Sequence, residues 1–174
     1  MGRFFAGLVI GLVIIALAAF VYLYFGYAPV ATASAPLPFE SKIATMALDA
    51  RMKKEAPKQA GLPATPENLM AGAHIYRDDC AVCHGLPGQA ATIIAGGMYP
   101  KPPQLFHGKG VTDDPVGDTY WKVTNGIRLT GMPSFAKLSD AQRWQVSQLL
   151  ANATNLPAAA MEVVRAPERA GADR

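Results

Sequence analysis

The chain has 174 residues, which suits one domain of ordinary size plus an appendage. Its formal charge of +3 is not a basic surface. Between Pro66 and Pro157 seven basic residues face seven acidic ones, so the excess lies in Arg3, the linker and the tail, and charge gives no support for a nucleic-acid partner.

The first element is an apolar helix. Phe4 to Phe25 are 22 residues without a charge, and at about 1.5 Å per residue a helix of that length spans roughly the 30 Å hydrocarbon core of a bilayer. Tyr22, Tyr24 and Tyr27 gather at one end, where amphipathic rings favour the membrane–water boundary. A cleaved secretory signal is the rival reading. Its apolar core is typically about 7–15 residues behind a more basic start, whereas only Arg3 precedes this one. Ala31 to Ala35 supply small residues for cleavage, but Pro36 follows directly. Length favours a retained anchor over residues 1–27, and either way the remainder is exported. No Lys or Arg follows the span until Lys42, so the positive-inside bias leaves the N-terminus in the cytoplasm. The expectation is a single pass through a bacterial inner (cytoplasmic) membrane with the main domain in the periplasm. Within the span Gly7 and Gly11 form a Gly-x-x-x-Gly pair, which either reflects the general abundance of glycine in membrane helices or lets a partner helix approach.

Residues 28–65 read as an Ala/Pro-rich linker with a short helix over 39–55. Phe39, Ile43, Met46, Ala47 and Ala50 share a face of it, and Arg51, Lys53 and Lys54 suit the negative end of its dipole. It is either a solvated spacer or a helix lying on a membrane or a neighbour. The compact domain is expected over 66–157. Thr65 serves as N-cap, Pro66 as first helical residue and Glu67 as dipole partner of a helix running to about Asp79. Gly85 to Gly117 shows few helix signals. Asp118 to Asn125 predicts a short helix closed by Gly126. Ser139 and Gln142 predict a capping box for a helix to about Ala153, with Trp144, Val146, Leu149, Leu150 and Ala153 buried. No strand alternation appears, so the fold class is all-α. Residues 158–174 read as a flexible tail.

The chemistry sits in Cys80-Ala81-Val82-Cys83-His84, a Cys-x-x-Cys-His sequence, the attachment signature of haem c. Two cysteines three apart on a helix put both sulfurs on one side, toward the two vinyl groups of one porphyrin edge. The next residue, His84, then turns its imidazole to the iron. Three alternatives are weaker. A thioredoxin-like pair wants a βαβ pattern, and a zinc site wants four ligands where His74 and His107 stand alone. A disulfide closing so short a loop adds little stability. For the sixth ligand Met132, in Gly131-Met132-Pro133, is the leading candidate, 48 residues after His84 and just before the last helix. Met98, His74, His107 and an open site are the others. Met/His ligation raises the potential relative to His/His.

With these motifs the stretch from Pro66 to Leu156 resembles the class I c-type cytochromes. The resemblance implies a small helical domain with long loops around one haem, whose first and last helices cross. Gly72 and Tyr76 match the small and aromatic positions of that crossing, and Leu149 stands where an aromatic partner is expected, with Trp144 a turn and a half earlier. The same resemblance makes Pro103, in Pro103-Gln104-Leu105, the carbonyl that accepts a hydrogen bond from the ligand histidine. It leaves Met98 a structural place in the preceding loop, and makes Tyr120, Trp121 and Arg128 candidates for haem contact. It implies an electron-transfer protein rather than an enzyme, carrying one covalent haem c and acting in a membrane with other redox proteins of a respiratory or photosynthetic complex. The alternative from another class is a haem enzyme or gas sensor with an open sixth site, which typically wants a distal proton-moving residue.

Overall fold

The computed structural model describes residues 1–106 and 114–166. His107 and the segment 167–174 of the expected tail lie outside them. All regular elements among the described residues are helical, and the chain divides into two compact units, Met1–Ser41 and Lys42–Arg174.

The first unit is dominated by α1 (Gly2–Tyr24), 23 residues with a mean hydropathy of 2.9 over its most apolar window and none of its residues buried. By length and composition it is fit to cross a membrane. It ends in a Schellman closure. Gly26 takes the left-handed φ of 73° that favours glycine, its N–H donates to Leu23 O, and the N–H of Tyr27 reaches back to Tyr22 O at 3.1 Å.

The second unit holds the rest of α2 (Glu40–Glu55) and the compact helical core. Helix α3 (Pro66–Ile75) begins as its sequence dictates: Thr65 Oγ1 accepts from the Asn68 N–H at 3.3 Å and Pro66 occupies the first turn. The chain does not stop at Asp79. It widens into one π turn, Tyr76–Cys80, and continues as α4 (Ala81–His84) to Gly85, whose φ of 74° ends it. Inside the stretch expected to be irregular, Thr92 caps a short α5 (Ile93–Gly97) by accepting from the Ala95 N–H. Helix α6 (Val116–Asn125) ends at Gly126, and α7 (Asp140–Ala151) opens with the full Ser139/Gln142 capping box.

Helices α3 and α7 make the central contact. A Cβ on Gly72 would run into the Gln145 backbone and come within 3.1 Å of Leu149 Cβ, so glycine is what lets the helices meet. Tyr76, Val146 and Leu149 are fully buried there. Leu149 gives the crossing no ring, and the aromatic partner of Tyr76 comes instead from the loop: Phe106 meets it edge-to-face, centroids 4.9 Å apart.

Two expectations need correction. Residues 158–165 are not tail but α8 (Ala158–Arg165), packed on α3 with Ala160 and Val164 fully buried. Their i, i+4 spacing forms a single narrow apolar stripe in an Ala-rich segment, too short to stand out as a period. The end of the linker is also not loose. Met52 and Ala56 are buried, the Pro57 carbonyl lies against Gly117, the Leu62 carbonyl accepts from Gln148 Nε2, and Gly61 sits on the edge of the Trp144 indole. The strap is held largely through backbone groups, which leave no side-chain signal in a sequence.

Candidate haem-binding site

The π turn and α4 carry Cys80, Cys83 and His84 in one continuous helical path out of α3. Both thiols are unpaired and half-buried. Burial, with the neighbouring charges of Asp79 and Cys83, pushes the Cys80 thiol up to about 12. Gly85, next along, is pinned from two sides. Its carbonyl accepts from the Tyr76 hydroxyl at 2.6 Å, and its Cα faces the Gln104 carboxamide so closely that a Cβ would come within 2.7 Å of Gln104 Nε2. Burial holds Tyr76 well above the ordinary tyrosine value. Tyr76 was legible as a crossing residue; its bond to the backbone beside His84 had no sequence signal.

His84 Nδ1 lies 2.8 Å from the carbonyl of Pro103. A carbonyl only accepts, so Nδ1 carries the proton and Nε2 keeps its lone pair. Burial lowers the imidazole's proton affinity, and the Pro103 bond opposes that. The side chain therefore holds Nε2 in a fixed orientation with its lone pair free to face a partner.

Met132 is held by the loop between α6 and α7. Its N–H donates to Thr130 Oγ1 at 3.1 Å, its carbonyl accepts from the Ile127 N–H at 3.2 Å, and its half-buried side chain packs against the core. Gly126 makes this possible. At φ 66° it lets the 132–134 backbone pass so near that a Cβ would lie 2.7 Å from both Pro133 C and Ser134 N. Met98 is also brought here: its thioether tip occupies the space a Cβ of Gly131 would need. The two methionines thus share one region.

Other candidates lie elsewhere. His74 is exposed on the last turn of α3 and Arg128 is exposed on its loop. Tyr120 stacks on Trp144 at 4.0 Å and donates to Asp140, and Trp121 Nε1 donates to Glu55 at 3.2 Å. Both rings are committed to α7 and α2 rather than to His84.

The residues present fit a haem c. A pair of thiols and a fixed imidazole sit on one helical path, and two thioethers from separate loops, Met98 and Met132, come together beside Gly131. Gln104 Nε2 is buried with no protein hydrogen-bond partner among the described residues. It stands next to Pro103, and a buried donor of this kind calls for a partner from a cofactor or water.

The match to a family model agrees with this chemistry. Residues 67–150 match the family described as cytochrome c oxidase, cbb3-type, subunit III. No curated protein shows significant similarity. Among solved structures, a chain of the Kuenenia stuttgartiensis reducing HAO-like protein complex Kustc0457/Kustc0458 aligns at 31% identity with a TM-score of 0.47. That alignment covers 57% of this chain and 50% of the other, so this chain spans half the length of its match. Residues 67–150 form a c-type cytochrome domain, and haem-based electron transfer is the chemistry of such a domain.

Proposed function

We propose that the chain is a membrane-anchored one-electron carrier on the periplasmic face of a bacterial inner membrane, serving as a subunit or tethered partner of a respiratory or photosynthetic complex. Cys80 and Cys83 would hold one haem c covalently through thioethers, and His84 and Met132 would ligate its iron, with Pro103 fixing the ring of His84. The bound haem supplies Fe(III)/Fe(II) cycling; the residues hold and orient it. His84 offers Nε2 because its other nitrogen is tied to Pro103. The Gly126–Phe135 loop, closed by the bond from the Phe135 N–H to Val123 O, carries the thioether. A filled sixth site leaves no position for a substrate, which makes this a carrier rather than an enzyme. Support for a place in a complex is the description of the matched family as an oxidase subunit. Support for the membrane is α1.

The observation that carries the reading is the Pro103–His84 bond on the turn that immediately follows the two thiols. Its test is to extract the denatured protein, expressed in a cell competent in cytochrome maturation, with acid acetone. Colour should stay on the polypeptide, and Cys80→Ala with Cys83→Ala should lose it. Carbon monoxide should leave the reduced spectrum of the native protein unchanged at neutral pH. A colourless polypeptide overturns the haem assignment, and rapid carbon monoxide binding overturns the closed sixth site.

A further inference from the structure

The inner half of α2 is accounted for: Met52 is buried and Glu55 accepts from Trp121 Nε1. Its outer half is not. At about 100° per residue, Ile43, Met46 and Ala50 fall on one strip, opposite Leu48, Met52 and Glu55. Ile43 is 58% and Met46 65% exposed. Lys42 and Lys53 flank the strip on one side and Lys54 on the other, all exposed. The nearest acidic residue is Asp49, on the shoulder of the strip.

We infer that this face of α2 rests on the surface of the lipid bilayer, with Ile43 and Met46 entering the headgroup region and the three lysines reaching anionic lipid phosphates. The inference rests on the reading of α1 as a retained anchor. Three observations favour lipid over protein as the occupant. Lysine is depleted in protein interfaces, whereas its long stem suits a membrane boundary, burying methylenes while the ammonium stays at the headgroups. Within α2 itself the strip carries no aromatic or arginine anchor of the kind that dominates protein hot spots, and Phe39, exposed at the residue before the helix, is a ring that also suits the headgroup boundary. And only residues 25–39 separate α2 from α1, a length that keeps the helix at high effective concentration beside any bilayer that α1 crosses. Because Met52 and Glu55 grip the haem domain from the other side of the same helix, a seated α2 sets which face of that domain looks at the membrane.

The test uses the full-length holoprotein in nanodiscs of zwitterionic phospholipid mixed with an anionic one. With both native cysteines consumed by the haem, a single introduced thiol is labelled uniquely by a water-soluble maleimide. Met46→Cys should label about tenfold more slowly than Arg51→Cys, which points elsewhere on the same helix. Changing Lys42, Lys53 and Lys54 to Gln should bring the two rates together. Equal rates for Met46→Cys and Arg51→Cys, while Val13→Cys in α1 stays protected, overturn the inference and leave the anchor standing. Rapid labelling of Val13→Cys overturns the anchor itself. A benzophenone amino acid at position 43 should crosslink to phospholipid; a crosslink to polypeptide instead means that protein covers the strip, and overturns the proposal.

Discussion

Gly126 is the residue on which the loop of the proposed sixth ligand turns. For any residue with a Cβ the left-handed conformation costs about 1–2 kcal/mol, and here the added carbon also meets the 132–134 backbone. Gly126→Ala should therefore lower unfolding stability in chemical denaturation by at least that amount and weaken the near-infrared sulfur-to-iron band, because the loop that carries the thioether must move. The band also separates the two methionines. Met132→Leu should abolish it and lower the reduction potential, since loss of a thioether removes the ligand that favours reduced iron. Met98→Leu should keep it, because Met98 packs on Gly131 as filler; the opposite pair of outcomes would reassign the ligand. Tyr76 gives the pH dependence. Its native value lies above the unfolded one of about 10. Above that pH the unfolded chain sheds a proton that the native hydroxyl keeps, so stability is full below about 10 and falls as pH rises, at up to about 1.36 kcal/mol per unit. Tyr76→Phe should remove that slope in alkaline denaturation curves and lower neutral stability by about 1 kcal/mol through the lost bond to Gly85.

At the scale of elements, the helices differ in what holds them. Helix α7 is secured at its start by a reciprocal cap and along its length by burial, so Ser139→Ala should lower stability by about 1 kcal/mol in chemical denaturation. Helix α8 has no side-chain cap and depends on Ala160 and Val164 against α3. Val164→Ala should lower stability by about 2 kcal/mol, and an unchanged midpoint would mean that α8 does not pack there. The contrast explains what sequence could tell. The starts of α3 and α7 and the Cys-x-x-Cys-His turn were legible because each is a local rule written in adjacent side chains. The burial of α8 depends on the surface of α3, some 90 residues earlier, and two buried residues in eight make no period. The π turn was equally hidden, since it alters a hydrogen-bond spacing without changing residue type. The Phe106–Tyr76 contact replaces an aromatic pair expected between two helices by one between a helix and a loop, and no spacing rule reaches across that distance.

For the whole molecule, the docked strap decides what the tether can do. An Ala/Pro-rich linker from residue 28 to 65 would let the haem domain swing through many tens of ångströms. With Glu55, Pro57, Gly61 and Leu62 held by α6 and α7 and Met52 buried, the chain available for swinging shortens to the residues before α2. Two truncated forms, each exported behind a cleavable leader, test whether the strap is part of the domain. A chain starting at Lys42 keeps the strap and should match the full-length domain in its denaturant midpoint. A chain starting at Thr65 keeps every candidate ligand and should still take up haem. It loses the buried Met52 and the hydrogen bonds of Glu55 to Trp121 and of Leu62 to Gln148. Burying a Met side chain contributes about 1.5–3 kcal/mol and each such bond about 1, against which the strap loses conformational freedom on docking. The shorter form should thus be weaker by about 2 kcal/mol, with Trp144 fluorescence shifted toward the wet range as Gly61 leaves its indole. Identical midpoints and spectra for the two forms would show that the strap is only a spacer, and the haem domain would then be free to reach partners well away from its own anchor.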